Sequence, residues 1–484
     1  MHSRSRITGL LATIAIVVSA CGGNTASPAA TGGGSTAAAT GGATTAPGTP
    51  AAPASFAPAA LRWYCCLGTG EDPSQVPTEN QVADGFAAKH PGSSLKLEVV
   101  TYQAARDTLS TQIGGGNSPD VVGPTGVGGL AAFQGQWLDL APYIAKTGYD
   151  TSQYDPSAVA FYNTPDGQIG LPFAIYPSMV WYKADMFTEA GLAEPPHKYG
   201  DQYTLDGQQV EWNYDTLRQI AMRLTVDKAG KDATQAGFDP KNIVQYGFEP
   251  QRDDLRGLGA YWGAGNLAGG ADGKTVTIPE DWKTAWKFFY DGMWKDHFIM
   301  TGPVYQTDQF NGGGYAFFSG RVAMSENFLW TTYGVADSGK DWNLAAIPAN
   351  NGKVTSPLNA DTFAVLKGTK NPDAAWAALQ YILDDSADTL LGLYGGMPAR
   401  PEKQDAFFTS LTTSKGFEPT VDWQVAKDSV QYADNPNFEA PMPKYNETLT
   451  ILSKYLSKWT ATPGLDMDAE IEAMRAEIQA KWDS

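Results

Sequence analysis

The chain has 484 residues, 42% of them hydrophobic and 18% charged, which allows a large packed core and excludes wholesale disorder. Its net charge of −18 excludes the clustered lysines and arginines that nucleic acid demands, so no nucleic-acid partner is expected. Four histidines, at positions 2, 90, 197 and 297, are too scattered for a His-rich metal site, and neither metal nor cofactor is expected.

Arg4 and Arg6 lead into an apolar run, Ile7 to Ala20, that is too short to span a bilayer and reads as a secretory signal over residues 1–20. The run ends Val18-Ser19-Ala20-Cys21, similar to the bacterial lipobox, in which cleavage leaves a lipidated cysteine as the new first residue. Cys21 is therefore the expected lipidation site, and the expected address is the outer face of the cell membrane, held by lipid alone. Each buried CH₂ of the acyl chains contributes ~0.8 kcal/mol. From 22 to 58 the sequence is almost entirely Gly, Ala, Thr, Ser and Pro, without charge and with Phe56 as its single aromatic. Such a stretch cannot offset its ordering entropy, so 21–58 reads as anchor plus flexible tether, roughly 120 Å when stretched.

The folded part opens with a strand, Leu61 to Leu67, ended by Gly68-Thr69-Gly70. A helix carrying Val82, Phe86 and Ala87 stops at His90-Pro91-Gly92. Leu95 to Val100 alternates as a strand, Ala104 to Ile113 reads as a helix, and Pro119 to Val122 is a short apolar strand entering a glycine-rich loop, 123–129. This alternation predicts an α/β fold with a mainly parallel sheet. Ligands of such sheets bind beyond the carboxyl ends of the strands, where the loops 68–72 and 123–129 lie. Further on, Asn371-Pro372-Asp373 starts a helix whose Trp376, Leu379, Ile382 and Leu383 recur at helical spacing, as do Ile471, Met474, Ile478 and Trp482 in the last one. With Cys21 assigned to lipid, Cys65 and Cys66 remain in an oxidising compartment. They are either two packed thiols or a vicinal disulfide, with a metal pair a third choice.

Six ordered stretches carry a resemblance over nearly everything from residue 61 onward. They are the first strand with its glycine loop, His90-Pro91-Gly92, Ser118 to Val122, Leu171 to Leu192, Gly320 to Met324 leading to Trp330, and Ala374-Ala375-Trp376 with Met397-Pro398-Ala399. Together they resemble the extracellular solute-binding proteins of carbohydrate ABC importers, the family that includes maltose-binding protein. Lys183 departs from that family's Tyr-Asn-x-Asp, a change expected to touch local packing rather than function. The resemblance implies a two-lobed periplasmic-binding-protein type II fold with hinge strands between discontinuous lobes. The N-lobe would take 59–173 and 363–412, the C-lobe 174–362 and 413–484. It implies a monomeric receptor, not an enzyme, that passes a sugar or oligosaccharide to ABC permease subunits.

A sugar offers coplanar hydroxyls and weakly apolar faces, so its site should combine carboxylate or amide acceptors with aromatic platforms. By the resemblance Trp330 is the leading platform, with Tyr176 at the hinge and Glu249, Gln251 and Arg252 in a Glu-Pro loop, while Tyr445 and Asn446 align more loosely with another family contact. Trp262 reads equally as a second platform or as packing. In the N-lobe Thr69 and Glu71 crown the first strand and Thr125 and Gly126 the third, with turn chemistry as the competing role. Asp120 reads as structural. Asp361, beside the second hinge, reads as the carboxylate that reaches a hydroxyl, or as a cap. The rival function is a secreted glycoside hydrolase, which needs two carboxylates ~5–10 Å apart. Asp253-Asp254 and Asp384-Asp385 read instead as solvated faces, and neither His-Glu-x-x-His nor Gly-x-Ser-x-Gly occurs.

Overall fold

Short apolar runs, with apolar–polar alternation in one strand, and the Gly and Pro that punctuate them set the first half of the sheet. The computed structural model describes residues 56–484 apart from 155, 165, 253 and 270–272, so the signal segment, Cys21 and the tether to residue 55 lie outside the described residues. Strand β1 (Ala60–Cys65) is followed by α1 (Val76–Lys89), β2 (Ser94–Val99), α2 (Tyr102–Gly114), β3 (Val121–Gly126) and α3 (Val127–Ala132). Helix α1 ends as expected at His90, whose N–H still reaches the Phe86 carbonyl before Pro91 stops the helix. Strand β1 lies parallel to β2, with Leu61 opposite Leu95, and parallel to β3, with Trp63 opposite Val121. Leu61 and Trp63 are wholly buried.

The remaining strands of the main sheet are β4 (Ala174–Lys183), β5 (Val226–Asp227), β6 (Ile243–Glu249), β7 (Val322–Phe328), β8 (Trp342–Ala345), β9 (Leu358–Val365) and β10 (Met397–Pro398). The ten-stranded sheet runs β2-β1-β3-β9-β4-β7-β6-β5, with β8 and β10 also on β4. Parallel pairing is confined to β2-β1-β3 and to β6-β7. The long central strands β4 and β9 run antiparallel to each other and to their other neighbours, so the sheet is mixed rather than mainly parallel. Strand β4 serves two sets of partners. Its first residues pair with β9, Ala174 with Asp361 and Tyr176 with Asn359, and its later ones pair with β7 and β8, as Trp181 does with Ser325 and Leu344.

Helices α4 (Leu255–Ala260), α5 (Glu280–Trp294), α6 (Pro372–Leu383), α7 (Ala387–Tyr394), α8 (Tyr445–Ala461) and α9 (Met467–Trp482) complete the elements used below. The apolar faces expected for α6 and α9 are buried, except that Trp482 is only half-buried, and the Asn371 side chain makes no capping bond. The expected glycine loop at 123–129 is instead strand and helix, because Thr125 and Gly126 continue the ladder opposite Thr362 and Asp361. Most of the aromatic wealth is core: Trp63, Trp137, Trp181, Trp282, Trp286 and Trp459 are fully enclosed. Lys183 is buried too, with Nζ on the Ser338 carbonyl at 2.8 Å, a packing role. Among the described residues no helix is long and apolar enough to cross a membrane.

Candidate functional site

The carboxyl ends of β1 and β3, the strand β9 and the start of β4 converge on Asp361. Its register opposite Gly126 and Ala174 directs a short acidic side chain into the space above the β1 loop. The Thr69 hydroxyl donates to Asp361 Oδ2 at 3.2 Å and lies 3.3 Å from the Tyr176 hydroxyl. Gly68 makes room for the carboxylate, since a Cβ there would lie 2.9 Å from Oδ2. Asp361 is buried. Burial raises its carboxyl to about 7, with Thr69 pulling the other way and Glu439 adding to the rise. A carboxylate held by so few donors retains acceptor capacity for a solute hydroxyl.

Tyr176 links this polar end to an aromatic one. Its ring centroid is 5.5 Å from that of Trp330, which packs 4.4 Å from Phe328 and donates Nε1–H to the Tyr315 hydroxyl at 2.9 Å. Trp330 follows β7 in a short 3₁₀ turn, Leu329–Tyr333, and is half-buried while Leu329 and Thr331 beside it are enclosed. An indole fixed in this way, with area still accessible, can stack on the apolar face of a ring.

Facing elements add a second cluster. Gly128 in α3 donates its N–H to Glu439 Oε2 at 3.2 Å. A Cβ on Gly128 would collide with the Tyr445 hydroxyl and lie 2.8 Å from Glu439 Oε1. Beneath them the Arg256 guanidinium, fully buried, is held by Asp254 and donates to the Phe438 carbonyl at 3.2 Å and the Tyr445 hydroxyl at 3.4 Å. Burial pushes the Glu439 carboxyl up and Arg256 opposes it.

Of the residues nominated from sequence, Thr69, Gly126, Tyr176, Trp330 and Asp361 meet in one place, and Tyr445 joins the facing cluster. Others do not. Glu249 is buried with both oxygens on main-chain N–H groups, Ala316 at 2.7 Å and Phe317 at 2.8 Å, so its carboxylate is used in fixing a turn. Arg252 reaches the Met300 carbonyl at 3.2 Å and lies over Tyr305, 4.4 Å from its centroid, a packed position on α5's side of the chain. Gln251 is buried, with Oε1 against Gly257. Trp262 has one face covered by Tyr214, stacked at 4.1 Å, and Phe288 beside it, so packing describes it better than a platform. Glu71 is exposed and accepts the Tyr102 N–H at the start of α2. Thr125 is enclosed, with its hydroxyl unpartnered among the described residues, and Asn446 is exposed on α8. Asp120 accepts the Arg62 N–H and the Thr369 hydroxyl, a structural role as expected.

Cys65 and Cys66 form a vicinal disulfide. Neither acidic pair is a plain solvated face, since Asp254 binds Arg256 and Asp384 binds Arg400. Glu439, Arg256 and Tyr315 were not foreseen, and Gly128 only as part of the 123–129 loop. Each is brought in by the fold from a separate stretch, and no spacing in the sequence joins them.

Comparison with known proteins accords with this geometry. The profile of bacterial extracellular solute-binding proteins matches residues 81–415. A candidate binding protein of Brucella abortus is 23% identical over 377 residues, 73% of this chain and 82% of that protein. The sn-glycerol-3-phosphate-binding periplasmic protein of the same species is 30% identical over 159 residues, 31% of this chain and 35% of its own. Among solved structures, the ABC substrate-binding protein from Listeria monocytogenes in complex with cycloalternan superposes with a TM-score of 0.69 at 15% identity, covering 88% of this chain and 99% of the other. Family and neighbours are binding proteins rather than enzymes. The chain belongs to the bacterial extracellular solute-binding proteins and has the type II periplasmic-binding-protein fold.

Proposed function

We propose that this protein is a lipid-anchored receptor that captures a neutral sugar or oligosaccharide between two lobes and delivers it, chemically intact, to an ABC permease. The lobes are 59–173 with 363–412 and 174–362 with 413–484, and the crossings are β4 and β9. The observation that carries the reading is the meeting of Asp361, Thr69, Tyr176 and Trp330 on and beside those two strands. An acceptor, hydroxyls and an indole suit a polyhydroxylated ring, and closing over it would exclude water from the polar contacts. The family and a neighbour bound to cycloalternan support a carbohydrate. A glycerol phosphate, suggested by the shorter match, fits less well. Arg256 is engaged by Asp254, Phe438 and Tyr445, and the ionised forms of Asp361 and Glu439 would repel an anion. Attachment through Cys21, on a tether long enough for reorientation, would keep the receptor at the membrane.

Calorimetry against a panel of neutral mono- and oligosaccharides, with sn-glycerol 3-phosphate included, tests this. Saturable heat with a neutral sugar at one site per chain is expected. Heat with the phosphorylated solute alone would overturn the assignment of ligand class.

A further inference from the structure

Beside the cleft, where β1 passes into the Thr69 loop, three ligand atoms converge that the binding site does not use. The sulfurs of Cys65 and Cys66 and a carboxylate oxygen of Glu79, on α1, lie within 4.8 Å of one another, and Glu79 Oε1 is 4.0 Å from Cys65 Sγ. All three side chains are fully buried. Glu79 takes one hydrogen bond, from the Tyr394 hydroxyl of α7 to Oε1 at 2.7 Å, whereas its Oε2 is buried without a partner among the described residues. An uncompensated buried carboxylate is costly, and burial accordingly pushes this carboxyl up to about 7. Gly70, at φ +112°, forms the remaining wall. A Cβ there would lie 2.6 Å from Glu79 Oε1 and 2.8 Å from Cys65 Sγ.

We propose that reduction of the Cys65–Cys66 bond unmasks a three-ligand site for a thiophilic cation, with the two sulfurs and the Glu79 carboxylate as ligands. The step is a two-electron, two-proton one. With a tertiary phosphine as reductant, phosphorus attacks one sulfur, the S–S bond breaks, and water supplies the phosphine-oxide oxygen and the two thiol protons. The cation then displaces both thiol protons and the Glu79 carboxyl proton where it is present, because thiolate and carboxylate are the ligating forms. Two sulfurs and one oxygen favour Cd²⁺, Zn²⁺ or Cu⁺ over Mg²⁺ or Ca²⁺. Glu79 gains the counter-charge that its buried Oε2 lacks.

Cd²⁺ is the probe, followed by its thiolate charge-transfer absorption in the full chain before and after phosphine reduction and removal of the phosphine. The oxidised chain should show no band. The reduced chain should saturate at one Cd²⁺, equally in a Cys21→Ser background. In Glu79→Gln the affinity should fall by about tenfold or more while thiol titration is unchanged. An absent band after reduction, full affinity in Glu79→Gln, or loss of the band in Cys21→Ser would each overturn the site. If Glu79→Gln does not fold, Cys66→Ser decides: loss of the one-to-one band supports the site and its retention refutes it.

Discussion

In the proposed site, Asp361 would contribute charge to recognition and Trp330 area. The Asp361 carboxyl, near 7 in the folded protein, has an ordinary value of about 3.9 in an unfolded chain. The folded state therefore keeps a proton that the unfolded state has already released. Its contribution to stability is complete below about pH 4, is lost as pH rises through about 7, and is constant above that. Asp361→Asn should narrow the difference in unfolding free energy between pH 5 and pH 8 by about 2–3 kcal/mol, stability that the wild type loses over that range. Urea denaturation at the two values measures this, and an unchanged gap would show that Asp361 does not titrate in that window. The same variant should weaken sugar binding by roughly tenfold, the worth of a charge-assisted hydrogen bond. Trp330→Ala removes a half-buried ring from Phe328 and Tyr176. It should raise Kd by at least about tenfold and cost less than the ~3–5 kcal/mol typical of a core tryptophan. A large stability loss with intact binding would make Trp330 a core residue.

At the scale of elements, the approach of α3 to α8 rests on the absence of a side chain at residue 128. Gly128→Ala would drive a methyl group into the Tyr445 hydroxyl and Glu439, forcing the two elements apart and weakening binding several-fold. Because the hydroxyl is the nearer obstacle, Tyr445→Phe should restore part of the loss, a coupling that a double-mutant cycle read by calorimetry would resolve. Strict additivity would place the contact outside the binding event. This pair also shows what a sequence conceals. Strands β1 and β2 and the buried faces of α6 and α9 were legible because period and punctuation are local properties. That Trp330, Tyr176 and Asp361 lie together was anticipated from ordered family motifs for the first two and from its place beside the second hinge for Asp361. The Gly128–Glu439–Tyr445 contact joins residues some 310 positions apart, and no local pattern announces it. The Glu-Pro loop misled for a related reason. A buried acid and a ligand-binding acid look alike in sequence, and only the N–H groups of Ala316 and Phe317 tell them apart. The mixed sheet was missed because antiparallel return strands such as β9 read locally like any buried strand.

For the whole molecule, β4 and β9 unite the sheet by pairing with each other and with different neighbours along their lengths. On the proposed division into two lobes, such strands would let the lobes close by small backbone rotations. Small-angle scattering should therefore show a smaller radius of gyration with saturating sugar than without, and no change for Trp330→Ala at the same concentration. Identical scattering in wild-type protein would indicate binding without closure. On the proposed receptor reading the chemistry is capture and release alone, so the most direct test is the fate of the solute. A sugar that gives saturable heat should be incubated with the protein at near-equal concentrations, freed by denaturation and resolved by chromatography. One unaltered molecule recovered per chain is the predicted result. Shortened or rearranged products that accumulate with time, and vanish with Asp361→Asn, would make the protein an enzyme and contradict the receptor assignment.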